Sequence, residues 1–239
     1  MRFDIPRNQI FPIEDVTLTL EEGQHPYELA ESKSIAANWR AETAANPSLF
    51  DGEVILLSEM VYSARRVKAR CHAVRYSTFL HWRRNRPVPS IEHVFAHAVP
   101  VTTDNALIAA RMLGHTANPG WVYFAAGALE PDDFRGGVAD IDFNMAREVR
   151  EETGLDITHA RRDAHYHAFS GQTGTVIARR FYLDGEAEEI AGRIRRFVNG
   201  QNDPEIEGPV IIRGMHDLPE GLAPHMPPLI EWHFSNLPR

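Results

Sequence analysis

A chain of 239 residues that is 43% hydrophobic and 24% charged has the makeup of a globular protein with a sizeable core, and no repeat or low-complexity segment argues otherwise. Its formal net charge of -8 excludes a general nucleic-acid binder, which neutralises phosphates with clustered Lys and Arg, but leaves room for a small phosphorylated substrate held through a metal. The lone Cys71 cannot form an internal disulfide, MRFDIPRNQIFPIEDV lacks an apolar signal-type core, and no window is long enough to cross a membrane, so the cytoplasm is the expected compartment.

The first 25 residues carry Pro6 and Pro12, with Pro26 just beyond, and predict an irregular arm with one short strand at 16–20. Residues 27–45 predict a helix with Leu29, Ile35 and Trp39 turned inward and Pro47 closing it. EVILLSE (53–59) predicts a strand. From 66 to 74 Val67, Ala69, Cys71 and Ala73 alternate with polar residues, a second strand in which Cys71 reads as packing rather than as a nucleophile. A short helix capped by Ser77 and holding Phe79, Leu80 and Trp82 follows. RRNRPVPS (83–90) reads as a linker, placing a boundary between an N-terminal extension or substrate-recognition subdomain, 1–90, and a main domain, 91–239. Strands are expected at 93–102 and 106–112 around a Thr103-Asp104-Asn105 turn, at 121–126, at 163–169 and 175–183 around SGQTG, and at 209–213. Residues 186–198 form an amphipathic helix with Ile190, Ile194, Phe197 and Val198 on one stripe. A last helical turn is expected at 229–234. Strands interleaved with helices give an α/β class with a mixed sheet packed between helices.

The chemistry concentrates in GALEPDDFRGGVADIDFNMAREVREETGL, residues 127–155. On a helix, Glu148, Glu151 and Glu152 fall at i, i+3 and i+4 and share one face. Three carboxylates so placed repel unless a cation lies between them, and hard divalent ions take such oxygen ligands; the plain alternative is a solvated acidic face. Asp142 or Asn144 would cap this helix, Gly154 would end it, and Met145, Val149 and Thr153 would face the sheet with the glutamates opposite.

These residues resemble the Nudix hydrolase family, whose signature is G-x5-E-x7-R-E-U-x-E-E-x-G-U, with U a bulky aliphatic residue. Gly127 fits the opening glycine and REVREETGL fits the second half without substitution. Two departures stand in the first half: Asp133 occupies the position of the first Glu, and thirteen residues rather than seven separate it from Arg147, a six-residue insertion. The resemblance implies an α/β/α sandwich and Mg2+-dependent hydrolysis, with Mn2+ as the alternative ion. It makes Glu151 and Glu152 the first metal ligands and Glu148 a further ligand or the base that orients water. Arg147 would hold Glu148 or Asp133, and the Ala126 carbonyl would complete the coordination. Asp140 or Asp142 of the insertion could replace Asp133, and Glu188, Glu189, Glu207 and above all Glu205 are candidates for a later acidic ligand. The implied substrate is a nucleoside diphosphate linked to another moiety, a nucleotide sugar such as UDP-glucose or ADP-ribose being favoured, with a homodimer as the default assembly. The competing reading is a catalytically inactive Nudix-like ligand-binding or regulatory domain; an isomerase would need a histidine-rich metal set that the box lacks.

Other residues invite chemistry with less support. His93 and His97 on one strand face lie about 13 Å apart, too far to share a zinc. His165, His167 and SGQTG could border a cleft. No GxxxxGK[ST] phosphate loop is present, and Gly136 and Gly137 suit a bend.

Overall fold

The structure, a computed structural model, describes residues 2–47 and 49–237. Its elements in chain order are β1 (Phe3–Asp4), β2 (Ile10–Ile13), β3 (Asp15–Leu20), α1 (Pro26–Ala30), α2 (Ser32–Ala45), β4 (Glu53–Ser63), β5 (Arg66–Arg75), α3 (Tyr76–Asn85), β6 (Glu92–Val101), β7 (Leu107–Met112), β8 (Val122–Tyr123), a 3-10 turn (Pro131–Asp133), β9 (Phe134–Arg135), β10 (Val138–Ala139), α4 (Ile141–Thr153), β11 (Arg161–Arg162), β12 (Tyr166–Gly171), β13 (Gly174–Tyr182), α5 (Ala187–Asn199), β14 (Ile206–Ile212) and α6 (Met226–Ser235). The class is α/β with a mixed sheet, as the interleaved pattern requires. Its main path runs β2-β12-β13-β6-β4-β5-β3-β10-β9, with β7 branching from β6 and itself pairing β8 and β14. Among the described residues no helix is long and apolar enough to cross a membrane.

The parallel pair β6 and β13, with Val94 opposite Thr175 through Val101 opposite Tyr182, is the spine. Both strands are buried over most of their length, as strands covered on both faces must be. Helix α5 turns Ile190, Ile194 and Val198 into the core and packs on β14 and β7, while α4 packs on β6.

On one flank of β6 the partner changes along the strand. Leu56 and Leu57 of β4 pair with His93 and Glu92, Phe95 bridges Ala128, and Val101 pairs with Leu107 of β7. The sheet therefore splits between β4 and β7, and the 126–128 loop fills the split. Ile55 donates to the Leu129 carbonyl at 3.0 Å, fixing the loop from the β4 side.

Several local expectations are corrected. The arm holds three strands rather than one, because β1 pairs with β4, β2 with β12 and β3 with β5; all three partners are remote in sequence. Pro12 is tolerated because β2 is an edge strand. The helix expected at 27–45 breaks at Glu31, which caps both α1 and α2, and Leu29 is 60% exposed rather than inward. Arg75, not Ser77, caps α3; Ser77 lies inside it, its amide donating to Asp51. The strand expected at 121–126 shrinks to Val122–Tyr123, freeing residues 124–128 to cross the split. The insertion is a small hairpin, β9 and β10, turned at Gly136 (φ 58°) and Gly137 (φ 80°) and added to β3 at the sheet edge.

Candidate active site

Helix α4 begins two residues earlier than expected. Asp140 is its N-cap and accepts from the Phe143 amide at 3.0 Å, because the hairpin ends at Ala139. Gly154 at φ 71° ends it, the left-handed conformation that glycine adopts without strain. Met145 and Val149 are fully buried. The expected opposition of faces does not hold: Glu148 and Glu152 are buried too, at 8% and 4% exposure, and only Glu151 is on the outside. The two buried carboxylates reach into a cavity of about 260 Å3 beside the split, lined also by Ala126, Gly127, Ala128 and Glu205.

Arg147 organises the acidic groups. Its Nε and Nη2 donate to the two oxygens of Asp133 at 3.3 and 3.2 Å, Nη2 lies 2.8 Å from Glu148 Oε1, and Nη1 donates to Glu151 at 3.1 Å. Asp133 is fully buried and also accepts from Asn144 Nδ2 and the Glu130 amide, both at 2.9 Å. It is thus the anchor of the arginine and does not line the cavity. Breaking such a buried pair strands a charge, so Asp133→Ala is expected to cost about 3–5 kcal/mol, read from the midpoint of urea unfolding. Asp142 is engaged elsewhere, by Arg179 at 2.8 Å and Tyr166 at 2.9 Å.

Glu152 Oε1 accepts from the Ala126 amide at 3.3 Å, while Oε2 has no partner. Burial, then Glu148 and Glu205, hold this carboxyl well above the usual range. Burial likewise pushes Glu148 up to about 8, against the pull of Arg147. A buried carboxylate that lacks a partner is costly to ionise, so this pair fits a bound cation. Among the described residues no three His, Cys, Asp or Glu side chains converge closely enough to hold an ion unaided; Mg2+ commonly takes one or two carboxylates and completes its shell with water and substrate phosphates.

Gly127 is required by this packing. A Cβ there would overlap the Glu148 carboxyl group, so Gly127→Ala must turn Glu148 aside. For a hydrolase of the kind the sequence resemblance implies, misplacing Glu148 by about 1 Å would cost on the order of 100-fold. That loss of turnover is the expected outcome, checked against an unchanged circular dichroism spectrum.

Of the later acidic candidates only Glu205 lines the cavity. Glu188 lies 3.7 Å from Arg213, and Glu207 faces Arg111 at 4.0 Å. Thr173 of SGQTG lines the cavity, whereas His167 packs on Trp232 with centroids 4.3 Å apart. Cys71 is buried and its thiol is pushed up by burial. Sequence reasoning missed the opposite wall, where Tyr76, Phe79, Trp82, Arg83 and Arg86 come from α3 and the residue after it. The available signal was density: three aromatics and three arginines within YSTFLHWRRNR.

Neither a protein-family model nor a curated protein sequence matches the chain. Among solved structures it is similar to the MutT protein from Methanosarcina mazei Go1, at 18% identity over 60% of this chain and 93% of that one, with a TM-score of 0.42. It is also similar to a NUDIX hydrolase from Nitrosomonas europaea, at 16% identity over 60% of this chain and 90% of that one, with a TM-score of 0.37.

Proposed function

We propose that the protein is a Mg2+-dependent hydrolase cleaving the phosphoanhydride bond of a nucleoside diphosphate linked to a second group, with nucleotide sugars such as UDP-glucose, and ADP-ribose, as favoured substrates. The observation that carries this reading is the buried pair Glu148 and Glu152, one oxygen of it unpartnered, facing a cavity beside the Gly127 loop. The resemblance of REVREETGL to the Nudix signature supports it independently. Glu152 and Glu148 are the first ligands, with Glu205 a third and the Ala126 carbonyl a fourth; Glu151 joins them only by leaving Arg147.

Mg2+ bound there supplies charge neutralisation and Lewis-acid polarisation of the phosphoanhydride. With the cation in place Glu148 would be ionised, and the carboxylate oxygen it does not give to the metal would accept the proton of the attacking water as the new P–O bond forms. The anhydride P–O bond breaks and the leaving phosphate keeps the electron pair. Arg147 holds Glu148 in place from behind, and Arg83 and Arg86 bring positive charge to the phosphate oxygens from the other wall. In this reading residues 1–90 are the recognition subdomain, acting through α3.

The test is hydrolysis with Mg2+ or Mn2+ across UDP-sugars, ADP-ribose, NADH, coenzyme A and nucleoside triphosphates. Turnover of one class supports the reading; a folded, metal-loaded protein that turns over none of them shifts it to a binding domain.

A further inference from the structure

Three residues from three parts of the chain meet where the α3 wall of the cavity turns toward its acidic end. Arg83 belongs to α3, Asn118 to the loop between β7 and β8, and Tyr123 to β8, and all three line the cavity. The proposed hydrolysis gives Arg83 a charge to contribute and leaves the other two without a task.

The loop is built to present Asn118. In Asn118-Pro119-Gly120-Trp121 the Asn118 carbonyl accepts from the Trp121 amide at 3.1 Å, and Gly120 sits at φ 73°. Proline second and a positive-φ glycine third are the residues such a turn takes, so the asparagine at its first position has a fixed backbone. Its side chain is held from both ends. Arg83 Nη2 donates to Asn118 Oδ1 at 2.9 Å, with Nη1 reaching the Ala117 carbonyl at 3.4 Å, and Asn118 Nδ2 donates to the Tyr123 hydroxyl at 3.4 Å.

The direction of this chain is forced. A guanidinium only donates, so the amide atom that faces Arg83 is the oxygen, and the group left to face Tyr123 is the NH2, which also only donates. The phenol oxygen is therefore the acceptor in that bond, and its own proton points elsewhere. Tyr62, Tyr166 and Tyr182, by contrast, give their protons to oxygens of Pro12, Asp142 and Asp163. Among the described residues no group accepts the Tyr123 proton, and the cavity is the side left open to it. Burial pushes this phenol up, and Glu152 and Glu205 add to the effect against the pull of Asn118, so the donor keeps its proton. An acceptor brought beside a cation on the carboxylates is an anionic oxygen, and a donor fixed in advance stabilises charge developing there without reorganisation.

We propose that Tyr123 donates a hydrogen bond to a phosphoryl oxygen of the molecule held in the cavity, and that Arg83 and Asn118 are positioning residues that set its direction. The reaction this donor assists rests on the hydrolase reading above, and the test reads binding apart from turnover. Inorganic pyrophosphate is titrated by calorimetry into the full chain with Mg2+, for the wild type, Tyr123→Phe, Asn118→Asp and the double variant. Tyr123→Phe should bind on the order of tenfold more weakly, the value of one hydrogen bond to a charged acceptor. Asn118→Asp keeps an oxygen for Arg83 but has no NH2, so the phenol turns to donate to it. Binding should weaken by a similar factor with Tyr123 still present. The double variant should be no weaker than the weaker single one, because both remove the same hydrogen bond; repulsion from the new carboxylate would add instead. A readout that needs no variant to fold is the NMR signal of Tyr123 Cζ in the wild type, which should shift as pyrophosphate binds. Wild-type affinity in either single variant, losses that add in the double one, no pyrophosphate binding at millimolar concentration, or a Cζ signal that stays in place would each overturn the proposal. A protein that passes these tests and turns over no phosphoanhydride substrate loses the hydrolase reading and keeps the oriented donor.

Discussion

Glu152→Gln is expected to reduce turnover by on the order of 1000-fold, about 4 kcal/mol of transition-state stabilisation, while the metal-free variant melts higher than the wild type. The two effects have one origin. Glu152 is 4% exposed with one oxygen unpartnered, so its charge is a liability to the metal-free fold and, in the proposed function, a ligand to the metal-loaded one. An amide of the same shape removes that charge and keeps an oxygen for the Ala126 amide. Thermal melts with and without Mg2+, run beside the kinetics, separate this from general damage. A variant that loses activity and melts lower would contradict it.

Mild acid is the second large perturbation. Burial holds His25, His225 and His233 down at about 4 and His93 at about 3, and their unfolded value is near 6.5. A folded value below the unfolded one means stability that is present above pH 6.5 and lost as pH falls toward 4. Four such groups together remove on the order of 5 kcal/mol by pH 5, comparable with the whole stability of many domains. Glu148 and Glu152 act in the opposite sense. Their folded values are raised, to about 8 for Glu148, so the stability they give is present below about 4.5 and is lost as pH rises through 8. The metal-free protein should be most stable between these limits, and Mg2+ should raise the melting temperature at pH 8 more than at pH 5. Urea unfolding at pH 7 and pH 5 of the Glu148→Gln, Glu152→Gln variant, in which the opposing carboxyl contribution is absent, is the check; equal midpoints there would be evidence against buried neutral histidines.

What the sequence discloses and what it conceals divide along the range of the interactions. REVREETGL predicts a helix ended by Gly154, and α4 ends there at φ 71°, because a cap is a local event. The two-residue error at its start is local too, but depended on the hairpin of the insertion, whose partner is β3. The burial of Glu148 and Glu152 was unreadable because it comes from the split in the sheet beside β6, to which residues 56, 95, 101, 107 and 128 all contribute. The same limit hid the aromatic wall: YSTFLHWRRNR predicted a short helix and a linker, and only the placement of α3 across from β6 makes its side chains part of a cavity. His93 and His97 are too far apart along the strand to share a zinc, and the structure places Phe95 between them on the cavity side of β6.

The edge strand β2 has consequences for how the protein is made. Its partner β12, with Ile10 opposite Phe169 and Ile13 opposite Tyr166, leaves the ribosome about 155 residues later, an interval of roughly 8–30 s at ordinary elongation rates. Until then the nascent chain carries an apolar ribbon with nothing to zip against, and the carboxylate-bearing helix emerges before β12 and β13 complete the sheet it packs on. Completion of the fold is therefore a late event in synthesis, and slow synonymous codons before residue 166 would lengthen the exposure and increase dependence on chaperones.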